Sequence, residues 1–179
     1  SAVLGSVALQ CSAHARCPVV VVRSADRPHD DRVVVGVDDS PAGRAALIRA
    51  AEEARRRGGP LEVVVACTPV VTWTEFAPYA GPSEHELRED AERFGRRLVE
   101  EVLGAAGGSQ VRVVVDIGAA DDVLVDRARG AGLLVVGSRS RSRLAGMMLG
   151  SVALRTVVAA ECPVMVVHPP RAAEAAGPV

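Results

Sequence analysis

The chain has 179 residues, 49% of them hydrophobic and only 2% aromatic, with 21 basic against 22 acidic side chains. That is room for one domain with an aliphatic core plus an appendage, and the near-zero charge gives no electrostatic reason to expect nucleic acid or an anionic membrane as partner. No apolar run approaches the roughly 18 residues that span a bilayer and residues 1–10 show no basic segment ahead of an apolar one, so the sequence predicts a cytoplasmic protein; the absence of lysine excludes a Walker A loop and Schiff-base chemistry.

The first element in the chain is half of a repeat. Leu4-Gly5-Ser6-Val7-Ala8-Leu9 recurs as Leu149-Gly150-Ser151-Val152-Ala153-Leu154, and Cys17-Pro18-Val19-Val20-Val21-Val22 as Cys162-Pro163-Val164-Met165-Val166-Val167, both at an offset of 145. A register held through a helix and into a strand predicts that residues 1–23 are the closing helix and last strand of a preceding copy of the fold. Ser24 to Asp31 is polar and carries a proline, which predicts a linker. The complete domain then runs over residues 32–168.

Val33 to Val37 is a continuous apolar strand, and Asp38-Asp39-Ser40-Pro41 ends it, with Ser40 placed as N-cap and Pro41 as first residue of a helix to about Arg57, stopped by Gly58-Gly59-Pro60. Leu61 to Cys67 is the second strand. Thr68 to Pro82, holding Trp73, Phe76 and Tyr79, is an excursion that suits a lid over the crevice, a partner surface or an aromatic cover on one sheet edge. Ser83-Glu84-His85-Glu86 is a capping box, opening a helix to about Leu103. Val111 to Asp116, Ala120 to Ala131 and Leu133 to Val136 follow as strand, helix and strand. A last helix reaches about Ala160, a last strand covers Pro163 to Val167, and residues 169–179 read as a disordered tail.

Alternation of strand and helix through five strands predicts a doubly wound, Rossmann-like α/β domain with a parallel sheet and right-handed crossovers. Ligands in such sheets bind beyond the carboxyl ends of the strands, where the strand order reverses. The loop Gly137 to Ser151 leaves the fourth strand there. Gly137 permits a sharp turn, Gly150-Ser151 presents backbone N–H groups at a helix start, and Arg139, Arg141 and Arg143 add positive charge, which together suit an anion such as phosphate. A solvated loop with arginines for solubility is the plainer alternative. Cys11, Cys17, Cys67 and Cys162 lack metal-ligand spacing and read as small apolar residues; His14, His29, His85 and His168 are equally isolated, so no metal is expected.

VVVGVDDSPAGRAAL, LLVVGSRSRSRLAGMMLGSVALRTVV and the closing CPVMVV together resemble the universal stress protein family over nearly all of residues 32–168. The family's nucleotide signature, G-x2-G-x9-G-[ST], reads here Gly137-x2-Ser140-x9-Gly150-Ser151. The resemblance implies an adenine nucleotide alpha hydrolase-like sheet of five parallel strands in the order 3-2-1-4-5, frequent dimers, tandem two-domain members, and last strands that pair. It implies a site for ATP, with or without magnesium, in which Gly36, Val37, Asp38 and Cys67 meet the base, Val136 and Gly137 end the fourth strand, and Arg139, Ser140, Gly150, Ser151 and Val152 lie on the phosphate side. Val19 to Val22 is expected to pair antiparallel with Val164 to Val167, within the chain or across a homodimer.

Ser140 stands where the signature has glycine. If that position needs a positive φ, the serine costs about 1–2 kcal/mol, whereas a charge-assisted hydrogen bond from one arginine to phosphate contributes about 1.5–3 kcal/mol. The competing expectation is a nucleotide-free family member acting by dimerisation or partner scaffolding. A phosphoacceptor receiver domain is discounted because its chemistry requires a lysine. No nucleophile and base are spaced as a motif, so the sequence predicts no turnover beyond slow ATP hydrolysis.

Overall fold

A computed structural model describes residues 5–22, 29–69, 71–73, 78–104, 111–139 and 149–169. Ser140, the tip of the excursion and residues 170–179 lie outside them, as does most of the expected linker. The chain runs α1 (Ser6–His14), β1 (Val19–Val21), β2 (Val33–Gly36), α2 (Pro41–Arg57), β3 (Leu61–Cys67), β4 (Val71–Trp73), β5 (Pro78–Ala80), α3 (Glu84–Leu103), β6 (Val111–Ile117), α4 (Ala120–Arg127), β7 (Leu133–Gly137), α5 (Ser151–Ala159) and β8 (Val164–Val167).

The main sheet has the order β1-β8-β7-β2-β3-β6. Counting the strands of the domain alone, this is the expected 3-2-1-4-5 parallel arrangement, and β1 extends it antiparallel at the β8 edge, making a mixed six-stranded sheet. Strands sandwiched by helices on both faces need apolar residues throughout; Val33, Val34, Val35, Val63, Val135 and Val166 are all fully buried. Alternate residues of each strand point to opposite faces. One face, with Val33, Val35, Val63 and Val65, packs against α2 and α3 through Leu47, Ala50 and Leu98. The other, with Val34, Val64, Leu134 and Val136, packs against α4 and α5 through Leu124, Ala153 and Val157.

Local signals set the helix ends. The Ser40 hydroxyl accepts from the Gly43 N–H at 3.0 Å, Pro41 is the first helical residue, and Gly58 closes α2 in the left-handed region at φ 68°. Both halves of the Ser83–Glu86 capping box form at the start of α3. Two expectations need correcting. The helix expected over 120–131 stops at Arg127, because the Arg32 guanidinium donates to the carbonyls of Arg127 (3.1 Å) and Arg129 (3.0 Å), taking the place of a further helical turn, and Gly130 turns at φ 72°. The excursion, to which the sequence assigned no strand, contains a two-stranded antiparallel ribbon, Val71–Trp73 with Pro78–Ala80.

The pairing of β1 with β8 follows the repeat. Val19 faces Val166, Val20 faces Met165 and Val21 faces Val164. Since Val19, Val20 and Val21 correspond to Val164, Met165 and Val166 in the repeat, each pair maps onto its own reversal. The two strands are therefore related by a local two-fold axis between Val20 and Met165.

Candidate functional site

After β6 at one edge the chain crosses back to place β7 and β8 on the opposite side of β2. The order reverses between β2 and β7, and there the helices depart to opposite faces and leave a crevice. A cleft of about 150 Å³ lies at this point. Its walls come from the end of β2 (Gly36, Val37, Asp38), from β3 (Val64, Ala66), from α4 (Ala120, Leu124), from the end of β7 (Val136, Gly137, Arg139) and from the start of α5 (Gly150, Val152, Ala153), with Gly43 of α2 closing one side. The lining is mostly aliphatic, with Asp38 and Arg139 its charged residues.

Asp38 is half-buried. Its carboxylate accepts from the Ser40 N–H (3.2 Å) and is within hydrogen-bond reach of the Ser40 hydroxyl, so it is fixed by the same residue that caps α2. That hydroxyl also lies 3.3 Å from the Arg139 carbonyl, linking the end of β2 to the loop after β7. Two glycines permit the close packing that forms the cleft. A Cβ on Gly43 would sit 2.5 Å from both the carbonyl and the carboxylate oxygen of Asp38, and one on Gly137 would sit 2.8 Å from the Ala42 carbonyl carbon. The buried Ser138 anchors the loop at both ends: its N–H donates to the Val167 carbonyl at 2.7 Å and its carbonyl accepts from Gly150 N–H at 2.8 Å. The N-cap of α5 is Gly150, which brings no side chain to the first-turn amides of the helix.

Of the residues expected in the site, Gly36, Val37, Asp38, Val136, Gly137, Arg139, Gly150 and Val152 line this one cleft. Ser151 is the first residue of α5 and exposed beside it, and Ser140 is outside the described residues. Cys67 does not line this cleft. It packs with Val65 on the α2–α3 face, its thiol 3.7 Å from the Asp116 carbonyl, while Ala66 and Val64 look into the cleft. Strand alternation places 64 and 66 on one face and 65 and 67 on the other, so the parity of β3 could have signalled Ala66. Leu124 follows likewise from the apolar stripe of α4, whereas nothing in the sequence separates Gly43 from other helical glycines. Among the described residues there is no group of three or more histidines, cysteines, aspartates or glutamates able to hold a metal ion.

The arrangement can hold a flat apolar ring over Val64, Ala66 and Leu124, meet an exocyclic amine with a carboxylate, and receive an anion at Arg139 and the α5 amides. Comparison with known proteins agrees with the fold. The universal stress protein family model matches residues 31–168. A universal stress protein of Mycolicibacterium smegmatis is 37% identical over 177 residues, covering 93% of this chain and 56% of the relative. One from Mycobacterium tuberculosis is 35% identical over 144 residues, covering 76% and 47%; the chain thus spans about half the length of these curated relatives. Among solved structures, a universal stress protein in complex with cAMP superposes with a TM-score of 0.56 at 27% identity, over 78% of this chain and 98% of that one. A putative universal stress protein from Pseudomonas aeruginosa, at 20% identity over 93% of this chain and 58% of that one, gives 0.67.

Proposed function

This chain belongs to the universal stress protein family, and on that premise we propose that it binds an adenine nucleotide, ATP in the first instance, in the cleft between β2 and β7. The observation that carries the reading is convergence: eight residues nominated from three separate stretches of sequence line a single cleft at the switch point of the sheet. The cAMP bound to a relative supports an adenine nucleotide as the ligand class. In this reading Asp38 accepts from the adenine amine, the aliphatic lining receives the ring, and Arg139 with the amides after Gly150 meets phosphate. The bound nucleotide would supply a negatively charged group that an arginine and a helix start favour. No described helix is long and apolar enough to cross a membrane.

Denaturing freshly purified protein and separating the supernatant by ion exchange tests the reading. Released adenine nucleotide, or saturable ATP binding by the stripped protein, is the expected result. A second reading, a nucleotide-free module that scaffolds partners, is favoured by Ser140 at the signature glycine and by the self-matched β1–β8 pairing, which suits association through last strands within or between copies. Gain of ATP affinity in Ser140→Gly, from none in the parent, would select it.

A further inference from the structure

Two helices on one face of the sheet form two sides of the cleft. Ala120 and Leu124 belong to α4, Val152 and Ala153 to α5. An ion pair joins the two helices there. Arg155, three residues beyond Val152, donates through Nη1 to the carboxylate of Asp121, the neighbour of Ala120, at 2.9 Å. The Asp121 side chain is 13% exposed against 70% for Arg155, so the carboxylate is tucked against the protein and the guanidinium reaches it from the surface. The hydrogen bond from Arg155 holds the Asp121 carboxyl below its ordinary value, so both partners are charged at pH 7. Leu124, Ala153 and Val157 share one apolar cluster. Apolar contact is non-directional, whereas a charge-assisted hydrogen bond has a set length and direction and fixes how far one helix sits along the other.

We infer that Asp121 and Arg155 are positioning residues whose ion pair holds the α4 side of the cleft, which receives the ring, in register with the start of α5, which meets phosphate. The inference rests on the nucleotide reading above. A ligand that reaches both sides has to fix their relative placement as it binds, and that ordering is subtracted from its affinity. A pair formed beforehand removes the cost. An ion pair with one partner as exposed as Arg155 contributes little to folding, so the effect of breaking it falls on ATP affinity and not on the urea midpoint.

A double-mutant cycle on the full chain, read by isothermal titration of ATP with urea midpoints alongside, tests the pair. Asp121→Asn and Arg155→Met, the latter keeping an apolar stem, should each weaken ATP about threefold, the scale of one partly exposed ion pair, and the double variant should lose no more than either alone. Arg155→Lys, which keeps the charge, should recover the affinity. Arg129→Gln is the control: it removes a pair of the same 2.9 Å length, with Asp126, beyond the far end of α4, and should leave ATP binding unchanged. Single variants that bind ATP like wild type overturn the inference. So do losses that add in the double variant, a lysine variant no better than methionine, or an Arg129→Gln loss as large as the others. Wild-type protein that binds no ATP overturns the nucleotide reading and the positioning role with it.

Discussion

The segment α1–β1 and the segment α5–β8 are near copies in sequence and differ in what surrounds them. Both helices are nine residues long and begin at an uncapped glycine with almost the same backbone, φ −65° and ψ 150° at Gly5 against φ −68° and ψ 155° at Gly150. The matched positions Ser12 and Val157 are both buried. Yet Val20 is 45% exposed where its counterpart Met165 is 8% exposed, and Cys17 is exposed where Cys162 is buried. The reason is neighbours: β8 lies between β7 and β1, whereas β1 has β8 on one side only among the described residues. The same local pattern therefore yields the same helix and strand, and the strength with which each is held comes from the strands beside it.

The largest break in that comparison is a buried charge. Val166→Asp, at a fully buried position of β8, should cost about 4 kcal/mol or more, whereas Val20→Asp on the exposed face of β1 should cost about 1 kcal/mol or less. Urea midpoints of the two variants measure the difference; equal shifts would mean that β1 is as deeply held as β8. Next in size is Gly137→Ala, whose methyl would press on the α2 backbone and should cost about 1–3 kcal/mol while also weakening ATP. Gly5→Ala, with nothing within 4 Å of the new methyl, should cost less than about 1 kcal/mol.

Thiol labelling separates the two segments without mutation. Cys11 and Cys17 are exposed and should react at once, while burial raises the Cys162 thiol and shields it, so that it should react only on unfolding. Burial likewise raises the half-buried Cys67, which should follow at an intermediate rate. Fast labelling of Cys162 would show that α5–β8 opens as readily as α1–β1. The smallest effect is electrostatic. Arg127, bonded to Asp116 at 2.8 Å, holds that carboxyl below its ordinary value of 3.8. Its contribution is thus present above the unfolded value and lost as pH falls through the lower folded one. Asp116→Asn should cost at most about 1 kcal/mol at pH 7 and nothing at the acid end, as read from denaturation at both.

Much of the fold was legible because its signals are local. Ser40-Pro41, the Ser83–Glu86 box and the valine runs each specify their element by direct bonding or by period, and the repeat announced the β1–β8 pairing. The end of α4 was not legible, because Arg32, 95 residues away from Arg127, takes its terminal carbonyl. In the site, Asp38 and the Gly137–Gly150 spacing were readable from the family resemblance. Cys67 came from the same resemblance, and following the strand parity of β3 points to its neighbour Ala66, which lines the cleft. Gly43 escaped because its role is a close approach to Asp38 that only the assembled fold creates.

The central claim is that the cleft between β2 and β7 holds an adenine nucleotide with Arg139 on its phosphates. Isothermal titration of ATP into stripped wild-type protein and Arg139→Ala tests it most directly. Saturable binding in wild type, weakened about tenfold or more in the variant through loss of one charge-assisted hydrogen bond, is the predicted result. No binding at millimolar ATP, or an affinity that Arg139→Ala leaves unchanged, would contradict it.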